Sequence, residues 1–424
     1  MEVQVAGNNG RKRRACQMME TCRFPLDDLN QDLLERVLAW LPTAAFSRLK
    51  SVCKRWKSAA DSAAFRRACS QVPRRDPWFL MVDARSDMDF RRSAVFDSSE
   101  NGWKTIDLAP LLRQGCENRK PDAGDFIPVA ASGGLICFRA ADGDFLVANP
   151  VDAAAASRRI GYPFPESPVR AIAMVTQSEG FELVTVSGEL PNLKFRRYNS
   201  ERDEWAPETA LTQKSSAAGE ASDECTQTQY FLTKSGNVVS ADIQRSAAKQ
   251  YSSVLTVKDG DEILSFISSS GTIISCNLNH KSFSEHPRLL PVFSEYSIDL
   301  VESGGEMYVV LLSEFLESSS LRVWRWDDGV GFWRQVAAMP PWMSHKLHGK
   351  KADINCGGAA AGEMLVCLNS GEVCSYVMCN LETNDWTELE EFSCDGKIRD
   401  FVCGVPFEPR IEASVWGNND NSKN

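Results

Sequence analysis

Histidine is scarce: four residues in 424, His280, His286, His345 and His348. General-base chemistry therefore has few candidates, and none of the four stands in a recognisable catalytic pattern. No Gly-x-x-x-x-Gly-Lys-Ser/Thr loop is present to cradle phosphate, and no Gly-x-Ser-x-Gly elbow to raise a nucleophile. Acidic pairs such as Asp259 with Asp261 and Glu390 with Glu391 read as solvated turns. Apolar runs are short, none approaching the roughly 20 residues of a membrane span. The first residues have no apolar stretch behind their charges, unlike a secretory signal. Positive charge is in deficit, 47 Lys and Arg against 57 Asp and Glu, a net −10. That balance is wrong for general nucleic-acid binding. The fourteen cysteines are scattered. Most sit in apolar runs, as Cys137 in LICF and Cys276 in IISCNL, and act there as small hydrophobes. Nothing directs the chain to an oxidising compartment, so no disulfide framework is expected. Zinc needs paired ligands. Cys374 and Cys379, near Cys367, come closest, but alternation along one strand sets those two on opposite faces. No catalytic residue, metal or cofactor is expected.

What is present falls into two halves. From Phe24 to about Cys69 the pattern is helical. Leu33, Leu34, Val37, Leu38 and Leu41 form one stripe, which Pro42 ends. Phe46, Leu49, Val52, Cys53, Trp56 and Ala60 form a second stripe. Asp61 is the expected N-cap of a third short helix carrying Phe65 and Ala68. Three such helices are too small to bury all these side chains, so part of the apolar face should belong to a partner.

The run LNQDLLERVLAWLP, then LKSVCKRWKSAA, then a phenylalanine, resembles an F-box. The family's usual Leu-Pro opening is Leu29-Asn30 here, and Asn is a good N-cap. The resemblance implies docking on a Skp-type adaptor and, through it, on the cullin and RING subunits of a ubiquitin ligase. Carried over by position, the adaptor-facing residues are Leu29, Leu33, Leu34, Val37, Leu41, Pro42, Leu49, Val52, Cys53 and Trp56.

From Trp78 on, short runs rich in Val, Ile, Phe, Leu and Tyr are bounded by Gly, Pro, Asn, Asp and Ser, the pattern of an all-β domain. A unit recurs in it: an apolar strand, a small-residue turn, a very apolar strand, a third strand ending in an Asn or Asp turn, and a fourth often carrying tryptophan. Polar turns precede Trp103, Trp205 and Trp386 in the same way. Gly133-Gly134, Gly304-Gly305 and Gly357-Gly358 suggest close approaches near inner strands. Seven candidate units start near Trp78, Phe126, Val169, Thr226, Val254, Ser297 and Lys351, spaced as four-stranded propeller blades are. This half resembles a degenerate kelch-type β-propeller of the kind found in plant F-box proteins. The kelch signature is incomplete, which leaves six blades as the alternative count. The late strand Asp400–Phe407 has no unit of its own and is expected to complete the first blade.

The expected organisation is α+β and multidomain. It comprises a disordered basic tail (1–23), a three-helix F-box domain (24–70), a linker (71–77), a propeller of seven or six blades (78–416) with a mobile insert near 213–227, and a polar tail (417–424). Arg11-Lys12-Arg13-Arg14 matches a short nuclear import signal, so nucleus and cytoplasm are the expected locations. The resemblance implies a non-catalytic substrate receptor that binds the adaptor through the F-box and an unidentified target protein through the propeller. Trp342 is the candidate contact for the target. The alternatives are a scaffold that does not lead to degradation and a propeller that senses a small molecule.

Overall fold

A computed structural model of the chain describes residues 29–83, 90–114, 126–152, 156–164, 167–177, 180–214, 230–232, 238–240, 251–268, 271–289, 296–315, 318–360 and 362–416. The basic stretch Arg11–Arg14 and the polar tail from position 417 lie outside these residues. The chain divides into two compact units, Met1–Pro73 and Arg74–Asn424.

The first unit has four described helices rather than three: α1 (Gln31–Ala39), α2 (Thr43–Leu49), α3 (Lys54–Ala60) and α4 (Ala63–Ser70). The second apolar stripe spans α2 and α3 without losing phase, so its spacing hid the break between them. At the break the Ser51 hydroxyl donates to the Arg48 carbonyl at 2.7 Å, a local bond that competes with helix continuation. Cys53 is extended (φ −149°, ψ 161°) and starts α3. The expected cap of the last helix shifts by one residue. Asp61 ends α3, and the Ser62 hydroxyl caps α4 by accepting the Phe65 amide at 2.9 Å.

The second unit is a β-propeller. Six sheets are each built around four antiparallel strands. Blades II to VI run outward from inner strands Phe126–Ser132, Val169–Gln177, Ser253–Lys258, Tyr296–Ser303 and Asp353–Gly358. Blade I is closed from the far end of the chain: Phe401–Phe407 pairs antiparallel with Trp78–Asp83 and becomes its inner strand. The six inner strands touch one another in ring order, blade III directly against blade IV and blade VI against blade I. Among the described residues the ring closes with six blades, the second of the two counts the sequence allows. The unit expected at Thr226 lies mostly outside the described residues, which give there the hairpin of Tyr230–Leu232 with Val238–Ser240. Of the insert expected at 213–227, only Gln213 and Lys214 are described. Thr212–Gln213 adds a parallel strand to the outer edge of blade IV.

One chemical device recurs in all six blades. The third strand ends at Asp97, Asn149, Asn199, Asn277, Asp327 or Asn380, whose side-chain oxygen accepts an amide two or three residues on. Such Asx turns fix the reversal into the fourth strand. In blades I, III and VI the turn also holds a left-handed Asn or Asp, namely Asn101 (φ 46°), Asp203 (φ 55°) and Asn384 (φ 57°). Tryptophans on the outer strands then secure the preceding connection. Trp103, Trp205 and Trp333 donate their indole N–H to the carbonyls of Glu390 (2.9 Å), Gly161 (2.8 Å) and Pro287 (2.7 Å). Trp386 turns instead to Asn384 Oδ1 at 2.9 Å.

The three glycine pairs do different jobs. Gly133-Gly134 and Gly304-Gly305 are left-handed turns after inner strands. Gly357 and Gly358 lie at the end of the inner strand of blade VI, where a Cβ would come within 2.4 Å of the Gly404 carbonyl and 2.3 Å of the Glu302 carbonyl. They allow the neighbouring blades I and V to close on blade VI.

Blades II to VI are meanders that begin at the inner strand, and blade I has the same spatial order with its inner strand supplied last. The turns after the first and third strands of a blade, counted outward, therefore fall on one face of the disc. The turn after the second strand, and the connection to the next blade, fall on the other. The chain enters at Trp78 and leaves after Phe407 on the first face. Residues 408–416 stay there: the Asn149 amide donates to the Arg410 and Ala413 carbonyls, both at 2.9 Å.

Candidate functional site

The helical unit is assembled by a few side-chain hydrogen bonds and one ring stack. Asn30 caps α1, its side chain accepting the Leu33 amide at 2.9 Å. Glu35 is buried, and one of its carboxylate oxygens accepts from Gln31 Nε2 and from the Ser62 hydroxyl, each at 2.9 Å. Since Ser62 also caps α4, this carboxylate fixes α1 to the start of α4. Phe46 and Phe65 stack with centroids 4.7 Å apart, joining α2 to α4. The Arg55 guanidinium donates to the Leu29 carbonyl, tying α3 to the residue that precedes the α1 cap.

This core separates the ten residues expected to face the adaptor. Leu34 is fully buried together with Leu38, so it holds the unit together and does not face a partner. Leu33, Val37, Pro42, Val52 and Cys53 are exposed, and Leu29, Leu41, Leu49 and Trp56 are half-buried. Leu33 and Val37 stand one turn apart on α1 and share a face. Sequence reasoning missed Trp40, which is exposed and lies beside Arg36, Ala68 and Gln71 at the margin between α1 and the end of α4. Its signal was a bulky aromatic one turn beyond Arg36, at the end of an otherwise satisfied helix.

Among the described residues, Leu33 and Val37 form an exposed leucine–valine row on a small helical unit, the arrangement a partner helix covers. An F-box domain model matches residues 26–68. F-box only protein 13 of Arabidopsis thaliana is 48% identical over 404 residues, covering 92% of this chain and 86% of that protein. The chain is a plant F-box protein. F-box only protein 6 of the same plant is 24% identical over 89% of this chain and 73% of that protein. Among solved structures, TolB from Acinetobacter baumannii aligns over 84% of this chain and 72% of that one, with a TM-score of 0.41 and 9% identity. Membership of the F-box proteins implies a Skp-type adaptor as the partner of the helical unit.

The propeller axis is the other place to look for chemistry. Its polar groups are largely spent on joining blades. Ser132 Oγ accepts the Thr176 amide at 3.1 Å, Ser253 Oγ donates to the Ile172 carbonyl at 2.9 Å, and Ser297 Oγ accepts the Ile354 amide at 3.1 Å. Buried Asp299 accepts from the Ser252 hydroxyl and from the amides of Leu300 (2.8 Å) and Cys356 (2.6 Å), fastening blades IV, V and VI. Among the described inner-strand residues, Asp353 Oδ1 and Asn355 Nδ2 are left without a partner. Burial raises the Asp353 carboxyl above the usual carboxylate range. Cys374 and Cys379, on one strand, enter cores on opposite sides of blade VI.

Trp342 lies on the short helix α6 (Pro341–Ser344), in the connection from blade V to blade VI; α5 (Ala109–Gln114) occupies the corresponding connection from blade I to blade II. Trp342 is exposed.

Proposed function

We propose that this chain is the substrate-recognition subunit of a Skp–cullin–F-box ubiquitin ligase. Its helical unit binds the Skp-type adaptor, and its propeller holds a target protein for ubiquitination and proteasomal degradation. The observation that carries this reading is an exposed apolar row, Leu33 and Val37, on the described helices of an F-box unit, on the same chain as a ring-closed propeller. The row has the composition of a helix-binding surface, and the propeller offers a rigid platform with long connections on one face. The mechanism is proximity. Holding a target lysine near the charged enzyme raises its effective concentration without the receptor taking part in bond making.

The experiment is reconstitution with a plant Skp-type adaptor, cullin and RING subunit. The full chain should co-purify with the adaptor and enter the assembly. A folded chain that fails to co-purify with the adaptor refutes the reading. A chain that assembles, yet whose bound proteins keep the same abundance when the proteasome is blocked, is a scaffold instead.

A further inference from the structure

The connection from blade V to blade VI is basic, although the chain as a whole is acidic. Residues 339–352, MPPWMSHKLHGKKA, carry three lysines and two histidines and no acid, in a chain of net charge −10. By the strand order above, this segment lies on the face opposite the chain's entry and exit. It runs from the outer strand Phe332–Ala338 to the inner strand Asp353–Gly358, and so crosses the radius of the disc from rim to axis.

It is also anchored. Met339, Met343 and Leu347 are buried in the core shared by blades V and VI. The Met339 amide donates to the Leu321 carbonyl at 2.9 Å, and the neighbouring Ala338 amide to Asn384 Oδ1 at 3.0 Å. Pro340 and Pro341 fix the way in. With Met343 and Leu347 pointing down, Trp342, His345 and Lys346 point out. Trp342 is 63% exposed, with Lys346 Nζ 5.4 Å from its ring centroid. Among the described residues, Lys346 draws in one carboxylate, Glu388, at 3.0 Å. Among the described residues, Lys350 and Lys351 have no ion-pair partner. Tryptophan is among the residue types enriched in binding hot spots. Cationic groups on an anionic molecule also favour encounter with an acidic partner.

We propose that this ridge is the docking surface for an acidic linear segment of the target protein, whose carboxylates meet His345, Lys346, Lys350 and Lys351 while one of its apolar side chains covers Trp342. The inference deepens the receptor reading and rests on it for the identity of the bound protein as a target.

The test is panning of a random 12-residue phage-displayed peptide library on the immobilised full-length chain. Two variants serve as counter-selectors: Trp342→Ala, and Lys350→Glu with Lys351→Glu. All these side chains are exposed or half-exposed, and each variant is checked for an unchanged melting curve and for adaptor co-purification. Enriched peptides should be acidic, with at least one apolar residue. They should bind each variant at least tenfold more weakly and weaken further as salt is raised. Enrichment of neutral or basic peptides, equal binding to the variants, or no enrichment dependent on these residues overturns the proposal. Loss of adaptor co-purification by the wild type would count against the receptor reading alone, because the panning reads the ridge directly.

Discussion

Truncating the exposed row of the helical unit should break adaptor binding while leaving the unit folded. Leu33, Val37 and Val52 leave 48%, 44% and 66% of their surface open. Complete burial of such side chains is worth roughly 1.5–3 kcal/mol each. Scaled by the open fractions, their coverage by a partner stabilises the complex by about 3 kcal/mol in all. Alanine keeps one side-chain carbon, so the triple variant Leu33→Ala, Val37→Ala, Val52→Ala should lose about 2 kcal/mol, roughly thirtyfold in Kd. Calorimetric titration of the purified full chain with a Skp-type adaptor measures this directly. Circular dichroism on the same samples should show unchanged helix content. Leu34→Ala is the contrast. Its side chain is fully buried, so it should cost about 2–5 kcal/mol of fold stability and weaken binding only through loss of the folded unit. If the triple variant binds within threefold of wild type, or if Leu34→Ala leaves the unit as stable as before, the division of residues between core and interface is wrong.

Three further outcomes follow from the same structure. Gly357→Ala needs no unusual backbone, but its Cβ would sit 2.4 Å from the Gly404 carbonyl; it should destabilise the propeller by roughly 1–3 kcal/mol in denaturant unfolding, whereas Gly371→Ala, with nothing within 4 Å, should unfold with the wild type. Cys53 is exposed and should be alkylated in the free chain and protected in the adaptor complex. Cys276 and Cys379, whose thiols burial pushes up to about 12, should stay unmodified in both, as read by peptide mass spectrometry. Burial raises the Glu302 carboxyl although the Gly305 amide donates to it. A carboxyl raised in the folded state binds protons more tightly there than in the unfolded chain, so its contribution to stability falls as pH rises through the raised value. Glu302→Gln keeps an acceptor for Gly305; it should raise the melting temperature relative to wild type at pH 8, and the difference should shrink as pH is lowered into the carboxylate range.

How much of this was legible depends on whether a signal was local. The Asn30 cap, the α1 stripe and the closing strand at 401–407 were readable because a cap is one side chain and a stripe is a period. The division of that stripe was not readable. Leu33 and Leu34 are adjacent and chemically identical, and only the docking of α4, held through Glu35 and Ser62 across 27 positions, decides which of them is buried. The break between α2 and α3 escaped because the apolar period runs through it. Of the two blade counts the sequence allows, the six seen among the described residues has its own local signal. Apolar runs suggested seven units, since a short apolar strand can occur in a connection as well as in a blade. The Asn or Asp at the end of each third strand occurs six times, and it counts blades because it makes the turn that a blade requires. The tryptophan-to-carbonyl bonds join positions 44, 46 and 287 residues apart, which no local pattern encodes.

The strand order also bears on where a target can be held. Blade I is completed by the last strand of the domain, so entry and exit share one face and the C-terminal residues pack there against Asn149. The turns on that face are mostly short reversals, set by Asx caps and left-handed residues. The opposite face receives every blade-to-blade connection, and three of these are pinned by outer-strand tryptophans. A receptor that works by proximity gains only if the target is held at a fixed orientation, because a mobile contact disperses the lysine over a large volume. The connection between blades V and VI meets that demand. It is seated by three buried side chains in the core between two blades, and it presents its aromatic and cationic groups from a backbone that has little freedom to move.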